Sequence, residues 1–244
     1  MNFTGILQQY GLLLLEGAGM TLLLTGLSAC LAALVALPVS ILRHGGGLAA
    51  QVIIRIYISF FRGTPLLVQL FLVYYGSGQF RAELQAAGLW AFFSSPFNCA
   101  VLTLTLNSIA YQTEILRGGL QGTPRGEVEA ANAIGMSRWL CYRRVILPHT
   151  WRIALPALGN EVILLMKGSA LASVITILDL MGQTRVIFAR TFDFSIYIQA
   201  AILYLLLTAL FVRFWRMLER RAGLAAQPAS AAASGKAAPA PPGP

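Results

Sequence analysis

Charge is scarce in this chain. Of 244 residues only 11% are charged, and nine of those are Asp or Glu. A soluble domain of this size carries about a quarter charged residues, so a surface that faces water on all sides is excluded. Cysteine occurs three times, as Cys30, Cys99 and Cys141, at spacings that match neither a metal site nor a disulfide framework. Cys30 and Cys99 fall inside apolar blocks and read as small buried hydrophobes. The two histidines, His44 and His149, have no second ligand at metal spacing and read as solvated residues at a membrane interface. No Ser/His/Asp or Cys/His arrangement suggests covalent catalysis, so the chain is expected not to be an enzyme. No glycine-rich phosphate loop is present either, so any ATP and Mg must be bound by another polypeptide, and no cofactor or metal is expected in this chain. No basic residue precedes Arg43. The positive n-region of a signal peptide is therefore missing, and the first apolar block is expected to remain as a span.

What the chain has is apolar residues, 57% of the total, at a mean hydropathy of +0.70. They come in long blocks, which indicates a membrane protein. Blocks long enough to cross a bilayer lie near 20–42, 59–76, 96–116, 157–178 and 195–214, predicting an all-α, polytopic protein with five transmembrane helices. Ser95-Pro96 offers a cap and a first-turn proline for the third span, and Gly118-Gly119 can end it. Pro65 interrupts the second block, so a kink or a helix start is expected there, with a short interfacial helix before it.

The net charge of +9 would suit a nucleic-acid binder if it lined a groove. Instead the basic residues cluster in the first and third connections and after the fifth span. That distribution marks the cytoplasmic side and puts the N-terminus outside and the C-terminus inside. No nucleic-acid partner is expected. The transmembrane unit is taken as 1–221. Residues 222–244, rich in Ala and Pro, read as a disordered, dispensable tail.

The longest connection, 119–152, is not linker-like. Thr123 can cap a helix with Pro124 at its first position, and Gly135 can stop that helix in a left-handed conformation. Ser137 can cap a second helix, which Pro148 closes. Glu127 and Glu129 lie near the positive end of the first helix, and Ala130, Ala131 and Ala133 give it a thin surface that another backbone can approach. Arg143, Arg144 and Trp139 can anchor the pair to a partner or to the membrane interface. A docking knob and a basic hairpin lying on anionic lipid both fit this composition.

Ionisable groups inside spans cost roughly 2.5–3.5 kcal/mol or more, so each is a functional candidate. They are Glu114, Glu161 and Lys167, with Asn107, Asn160 and Ser169 as neutral companions. Glu161 and Lys167 stand about 9 Å apart along one helix and are not expected to pair. Glu114, near the inner end, can pair with Arg117. Lys167 can pair with a carboxylate on another helix or take part in gating. Glu161 can offer an anion to a cationic side chain or hold a structural partner.

Glu129-Ala130-Ala131, Gly135 and Val145-Ile146-Leu147-Pro148 stand at fixed gaps that resemble the "EAA" signature of permeases in binding-protein-dependent ABC importers. Arg62-Gly63-Thr64-Pro65-Leu66 and Ala110-Tyr111-Gln112-Thr113-Glu114 resemble segments of the polar amino-acid branch. Phe97-Asn98-Cys99 and Asn160-Glu161-Val162-Ile163-Leu164 look most like the M-type subunit of histidine/lysine/arginine/ornithine and opine importers. Where many of these permeases read Lys-Asp-Thr-Ser-Leu, this chain has Lys167-Gly168-Ser169-Ala170-Leu171. The resemblance implies a permease subunit in the bacterial inner membrane that carries a polar, basic amino acid or opine-like substrate inward. Its 119–152 loop, with Glu129, Ala130, Ala131, Gly135, Arg143, Leu147 and Pro148, would form the coupling helix. Its partners would be two ATPase subunits, a homologous permease subunit or a second copy, a periplasmic binding protein, and membrane lipid. A gradient-driven transporter would show more intramembrane acids or interrupted helix pairs. A non-transporting scaffold would dock its hairpin on some other protein.

Overall fold

The computed structural model describes residues 3–221, with side chains from residue 8 onward; the 222–244 segment, read above as a disordered tail, lies outside the described residues. The first helix, α1 (Phe3–Gly45), has 43 residues and starts well before the block that hydropathy marked at 20–42. After Gly46 and Gly47 come α2 (Leu48–Gly63) and α3 (Leu66–Gln79), bent by 103° relative to each other. The second predicted span is therefore not one helix. Pro65 lacks the amide that would continue α2, and it adopts an extended conformation as the N-cap of α3. The short α4 (Arg81–Ala86) and α5 (Trp90–Phe93) lead to α6 (Pro96–Gln121).

Ser95 caps α6 by accepting from the Asn98 amide at 3.4 Å, with Pro96 in the first turn. Gly118-Gly119 does not end α6, which continues to Gln121. Gly119 serves close approach instead: a β-carbon there would lie 2.8 Å from the backbone oxygen of Thr150. Then follow α7 (Arg125–Ala133), α8 (Arg138–Cys141) and α9 (Leu147–Gly168). The stretch Tyr142–Ile146 between α8 and α9 is a π-helical turn. A seven-residue 3-10 segment, Ser169–Ile175, extends α9. The chain closes with α10 (Leu180–Thr191) and α11 (Ser195–Arg221).

Pro148 was expected to close a second docking helix. The helical path instead passes through it. A proline in a helix removes one hydrogen bond and crowds the carbonyl four residues back. The wider π-turn just before Pro148 makes room there. The second docking helix is thus the start of the long helical stretch Arg138–Ile175.

Three helical stretches are long and apolar enough to cross a membrane: Gln8–Gly45, Arg138–Ile175 and Ser195–Arg221. The bent α2–α3 pair makes a fourth if it counts as one crossing. The remaining predicted span, α6, has 26 residues, a length of about 39 Å. It is long enough, but Thr103, Thr105, Asn107, Ser108, Gln112 and Thr113 lower its hydropathy. All of these except half-buried Asn107 are buried. α6 packs most extensively on α1 and α9 and also meets α2 and α3, so its polar side chains are kept off lipid.

The outward surface is apolar, with Leu12 79% and Leu34 74% exposed. Cys30, expected to be buried, lies on this outer surface. Inside, a cluster of Leu24, Leu70, Ala100, Leu104, Leu165 and Ile175 joins α1, α3, α6, α9 and the 3-10 segment. A second cluster, Leu14, Leu180, Ile187 and Ile196, joins α1, α10 and α11. Buried hydroxyls such as Thr103 and Thr150 bond the carbonyl four residues back, at 2.8 Å each.

The adjacent glycines of α6 should behave differently. Gly119→Ala forces a shift against backbone and should lower stability by about 1–3 kcal/mol. Gly118→Ala, with open space around it, should be neutral or gain about 0.5–1 kcal/mol. Thermal unfolding of the two variants in detergent, monitored by aggregation or tryptophan fluorescence, checks the contrast.

Candidate functional site: a polar cavity beside α6 and an exposed knob

The bend between α2 and α3 leaves backbone carbonyls that the missing Pro65 amide cannot satisfy. Side chains take its place. Gln69, 2% exposed, donates through Nε2 to the Phe61 carbonyl at 2.9 Å, to the Thr64 carbonyl at 3.1 Å and to Thr64 Oγ1 at 2.8 Å. Asn107 of α6 donates to Gln69 Oε1 at 2.9 Å and to the Phe61 carbonyl at 3.2 Å. The Tyr57 hydroxyl donates to the Leu106 carbonyl. The elbow is therefore pinned to the middle of α6 by side-chain amides that exchange hydrogen bonds with backbone.

Glu161 of α9 is 6% exposed. Ser108 donates to its Oε1 at 2.6 Å, and Gln112 donates to its Oε2 at 3.5 Å. Gln112 also reaches Ser108 Oγ at 3.0 Å. The carboxyl is thus held by neutral donors and has no cationic partner among the described residues. Beside it opens a cavity of about 210 Å³ lined by Thr64, Leu66, Asn107, Tyr111, Glu161, Leu164 and Leu165. The Arg62 guanidinium lies 5.1 Å from the centre of the Tyr111 ring, a cation–π arrangement beside the cavity.

The sequence candidates divide accordingly. Asn107 and Glu161 meet at the cavity. Glu114 stands apart, bound by Arg117 at 2.7 Å and approached by Arg43 of α1 at 3.6 Å. Ser169 is buried but bonds the Met166 carbonyl of its own helix. Asn160 and Lys167 sit exposed on α9, and Lys167 has neither a hydrogen bond nor an ion pair among the described residues. Ser108, Gln112, Gln69 and Tyr111 were not among the site candidates from sequence, although Tyr111 and Gln112 fall in the Ala110–Glu114 segment that resembles the amino-acid branch. The signal for the first two was their spacing of four on α6, which puts both on one helix face.

Asp179 was missed as well. It is fully buried and caps α10 by accepting from the Gly182 amide at 2.9 Å. The following amide, Leu180, donates to Thr21 Oγ1 of α1 at 3.1 Å. Among the described residues no group of three or more His, Cys, Asp or Glu side chains could hold a metal ion.

At the other end, α7 and α8 form a small projection. Ala131 packs inward with Leu120, Cys141 and Ile146, while Glu129, Ala130 and Ala133 stay exposed. Gly135 follows at φ +79°, in the left-handed region, and its amide donates to the Asn132 carbonyl at 3.0 Å. Ser137 caps α8 by accepting from the Leu140 amide at 3.3 Å. Thr123 does not cap α7 as expected. Its place is taken by Pro124, and its hydroxyl is buried without a partner. Ile134 and Trp139 flank the turn, 75% and 70% exposed. Arg143 is exposed in the π-turn, Leu147 is half-buried, and Pro148 is exposed within α9. Exposed Ala130 and Ala133 thus give α7 a thin surface, next to two large apolar side chains at the turn that follows it.

The family model for binding-protein-dependent transport system inner membrane components matches residues 30–223. The nopaline transport system permease protein NocM of Agrobacterium fabrum is 43% identical over 196 residues, spanning 80% of this chain and 81% of its own. The histidine/lysine/arginine/ornithine transport system permease protein HisM of Escherichia coli is 43% identical over 208 residues, 84% of this chain and 87% of its own. Among solved structures, one of an amino acid ABC transporter superposes with a TM-score of 0.80 at 36% identity, covering 91% of this chain and 99% of that one. An inward-facing methionine ABC transporter shares the fold at 20% identity, with a TM-score of 0.71.

The Ser108–Glu161 bond is a buried contact to an acidic group. A double-mutant cycle with Ser108→Ala and Glu161→Gln should return a coupling of about 1 kcal/mol or more. Unfolding midpoints of the two single variants and the double variant, read in the same detergent, give that number. Simple additivity would show that the two side chains do not hold each other.

Proposed function

Because the chain belongs to the family of binding-protein-dependent transport system inner membrane components, we propose that it is the permease subunit of an ATP-driven importer for a basic amino acid or an opine-like derivative. The observation that carries this reading is the meeting of Asn107 and Glu161, from two helices, at one cavity within the bundle. Glu161 has hydrogen-bond donors but no ion-pair partner among the described residues. A cationic side chain entering the cavity would supply the missing charge. Asn107, with its amide shared between Gln69 and Phe61, links the cavity to the α2–α3 elbow. The names of the relatives, transporters of nopaline and of histidine, lysine, arginine and ornithine, agree with this chemistry.

In this reading the chain binds neither ATP nor Mg. Two ATPase subunits hold both and grip α7 and the turn at Gly135. Glu129, Ala130 and Arg143 face the grip, Ala131 packs behind them against Leu120, Cys141 and Ile146, and Leu147 and Pro148 carry it into α9. A periplasmic binding protein delivers substrate to the outer face. The N-terminus lies outside and the C-terminus inside, as the distribution of Arg requires. A second membrane subunit, homologous or identical, completes the path. It would cover the exposed face of α9 that carries Asn160 and Lys167, since an unpaired ammonium facing lipid is costly.

Two experiments in proteoliposomes containing the assembled transporter test the reading. Glu161→Gln should lower uptake of a cationic amino acid by about tenfold, the equivalent of 1.4 kcal/mol, and affect a neutral one much less. Equal losses for both would make Glu161 a packing residue. Gly135→Val forces a β-branched residue into a left-handed conformation at a cost of about 1–3 kcal/mol. Membrane insertion should persist while substrate-stimulated ATP hydrolysis falls, whereas Gly135→Asn, which tolerates that conformation, should retain part of it. Normal coupling in the valine variant would remove the turn from the docking surface.

A further inference from the structure

A basin of about 800 Å³ opens on the inner side between the last turn of α1, the end of α6, α7 and α8. Its polar lining is rich in donors. Arg125, Arg138, His44, Thr123 and Tyr142 contribute to it, and a single carboxylate, Glu129, opposes the two guanidinium groups. Thr123, in the wall of the basin, is 8% exposed, and its buried Oγ1 has no hydrogen-bond partner. A buried hydroxyl without a partner costs about 1–3 kcal/mol unless a ligand or water satisfies it. The nine-residue α7 begins two residues later with Pro124 as its N-cap, so no side chain caps its first amides. The positive end of that helix dipole has no side-chain cap, with Glu127 as the acidic residue of its first turn. None of the ion pairs formed among the described residues involves Arg125 or Arg138.

The level of the basin is set by its neighbours. α1 ends at Gly45 and α6 at Gln121, both at its edge. From Leu48 onward α2 carries Leu48, Val52, Ile53, Ile56 and Phe60 exposed, an apolar face suited to lie on acyl chains. The basin therefore opens beside the headgroup layer on the arginine-rich side.

We propose that this basin is a phosphate site, and that the phosphate it takes is the headgroup of an anionic phospholipid of the inner leaflet. The Thr123 hydroxyl and the open α7 amides meet the phosphate oxygens. Arg125 and Arg138 supply the charge, as basic pockets at the cytoplasmic ends of spans do for acidic lipids. A lipid held there would brace α7 against α1 from the membrane side. The proposal rests on the membrane placement given above and not on transport, and its readout is binding alone.

Native mass spectrometry of the purified full-length chain in detergent tests it, with dioctanoyl phosphatidylglycerol, dioctanoyl phosphatidylcholine and inorganic phosphate as probes. Phosphatidylglycerol should remain bound in preference to phosphatidylcholine. The triple variant Thr123→Val, Arg125→Gln, Arg138→Gln should bind it about tenfold or more weakly. Thr123→Ser, which restores the hydroxyl, should bind it as well as the parent chain; a lipid lost equally from the serine and valine variants would overturn the assigned role of that hydroxyl. Retention in excess inorganic phosphate assigns the site to lipid, whereas displacement assigns the same phosphate chemistry to a soluble source. Unchanged binding in the triple variant would overturn the site. Loss of the lipid when the ATPase subunits are added would overturn it too, since the basin would then belong to an acidic side chain of that partner.

Discussion

Hydrocarbon offers no hydrogen bonds, so a membrane helix that carries polar side chains must turn every one of them toward protein. α6 is built under that constraint. Its Thr103, Thr105, Ser108, Gln112 and Thr113 are buried and Asn107 half-buried where α6 packs on α1, α2, α3 and α9, and the lipid-facing surface is left to the apolar neighbours. The arrangement explains why the most enclosed helix is also the one that hydropathy identifies least clearly. It also explains why polar groups from two helices converge at one place. Once α6 is central, Asn107, Ser108 and Gln112 can only bond inward, and Glu161 of α9 is their natural acceptor.

The elbow between α2 and α3 follows the same rule. A helix interrupted at Pro65 exposes carbonyls that would be untenable beside lipid. Gln69 and Asn107 cover those of Phe61 and Thr64, so a bend of 103° is tolerated at membrane depth. Thr64 and Leu66 then form part of the cavity wall. The broken helix is thus what gives the cavity its rim. Asn107 fixes the position of that rim relative to Glu161.

Much of this was legible in the amino-acid sequence wherever the cause is local. Ser95-Pro96 starts α6, Gly135 turns left-handed after α7 and Ser137 caps α8, because caps and positive-φ turns are decided by a few neighbouring residues. The difficulties came where a local signal is overruled by distant packing. Pro148 carries the signature of a stop, yet a π-turn absorbs it. Gly118-Gly119 has the form of a helix end, but Thr150 needs the space at Gly119. The partners of Glu161 lie 53 and 49 residues away, beyond any spacing argument. Asp179 escaped notice because a carboxylate at a helix start reads as a solvated cap, and only the approach of Thr21 from α1 shows that the cap is interior.

The unbroken path from α8 through the π-turn to the end of α9 makes the fourth span a strut. Its helical residues from Arg138 to Gly168 measure about 46 Å end to end. The exposed turn at Gly135 adjoins one end, and Glu161 lies near the other. Rods convert angle into displacement: a tilt of about 5° across that length moves one tip by about 4 Å relative to the other, more than the reach of a hydrogen bond. Pro148 in its first turn and Pro156 in its interior each remove one backbone hydrogen bond along the rod. The carboxyl by the cavity and the exposed knob at Gly135 therefore stand toward the two ends of one continuous helical rod.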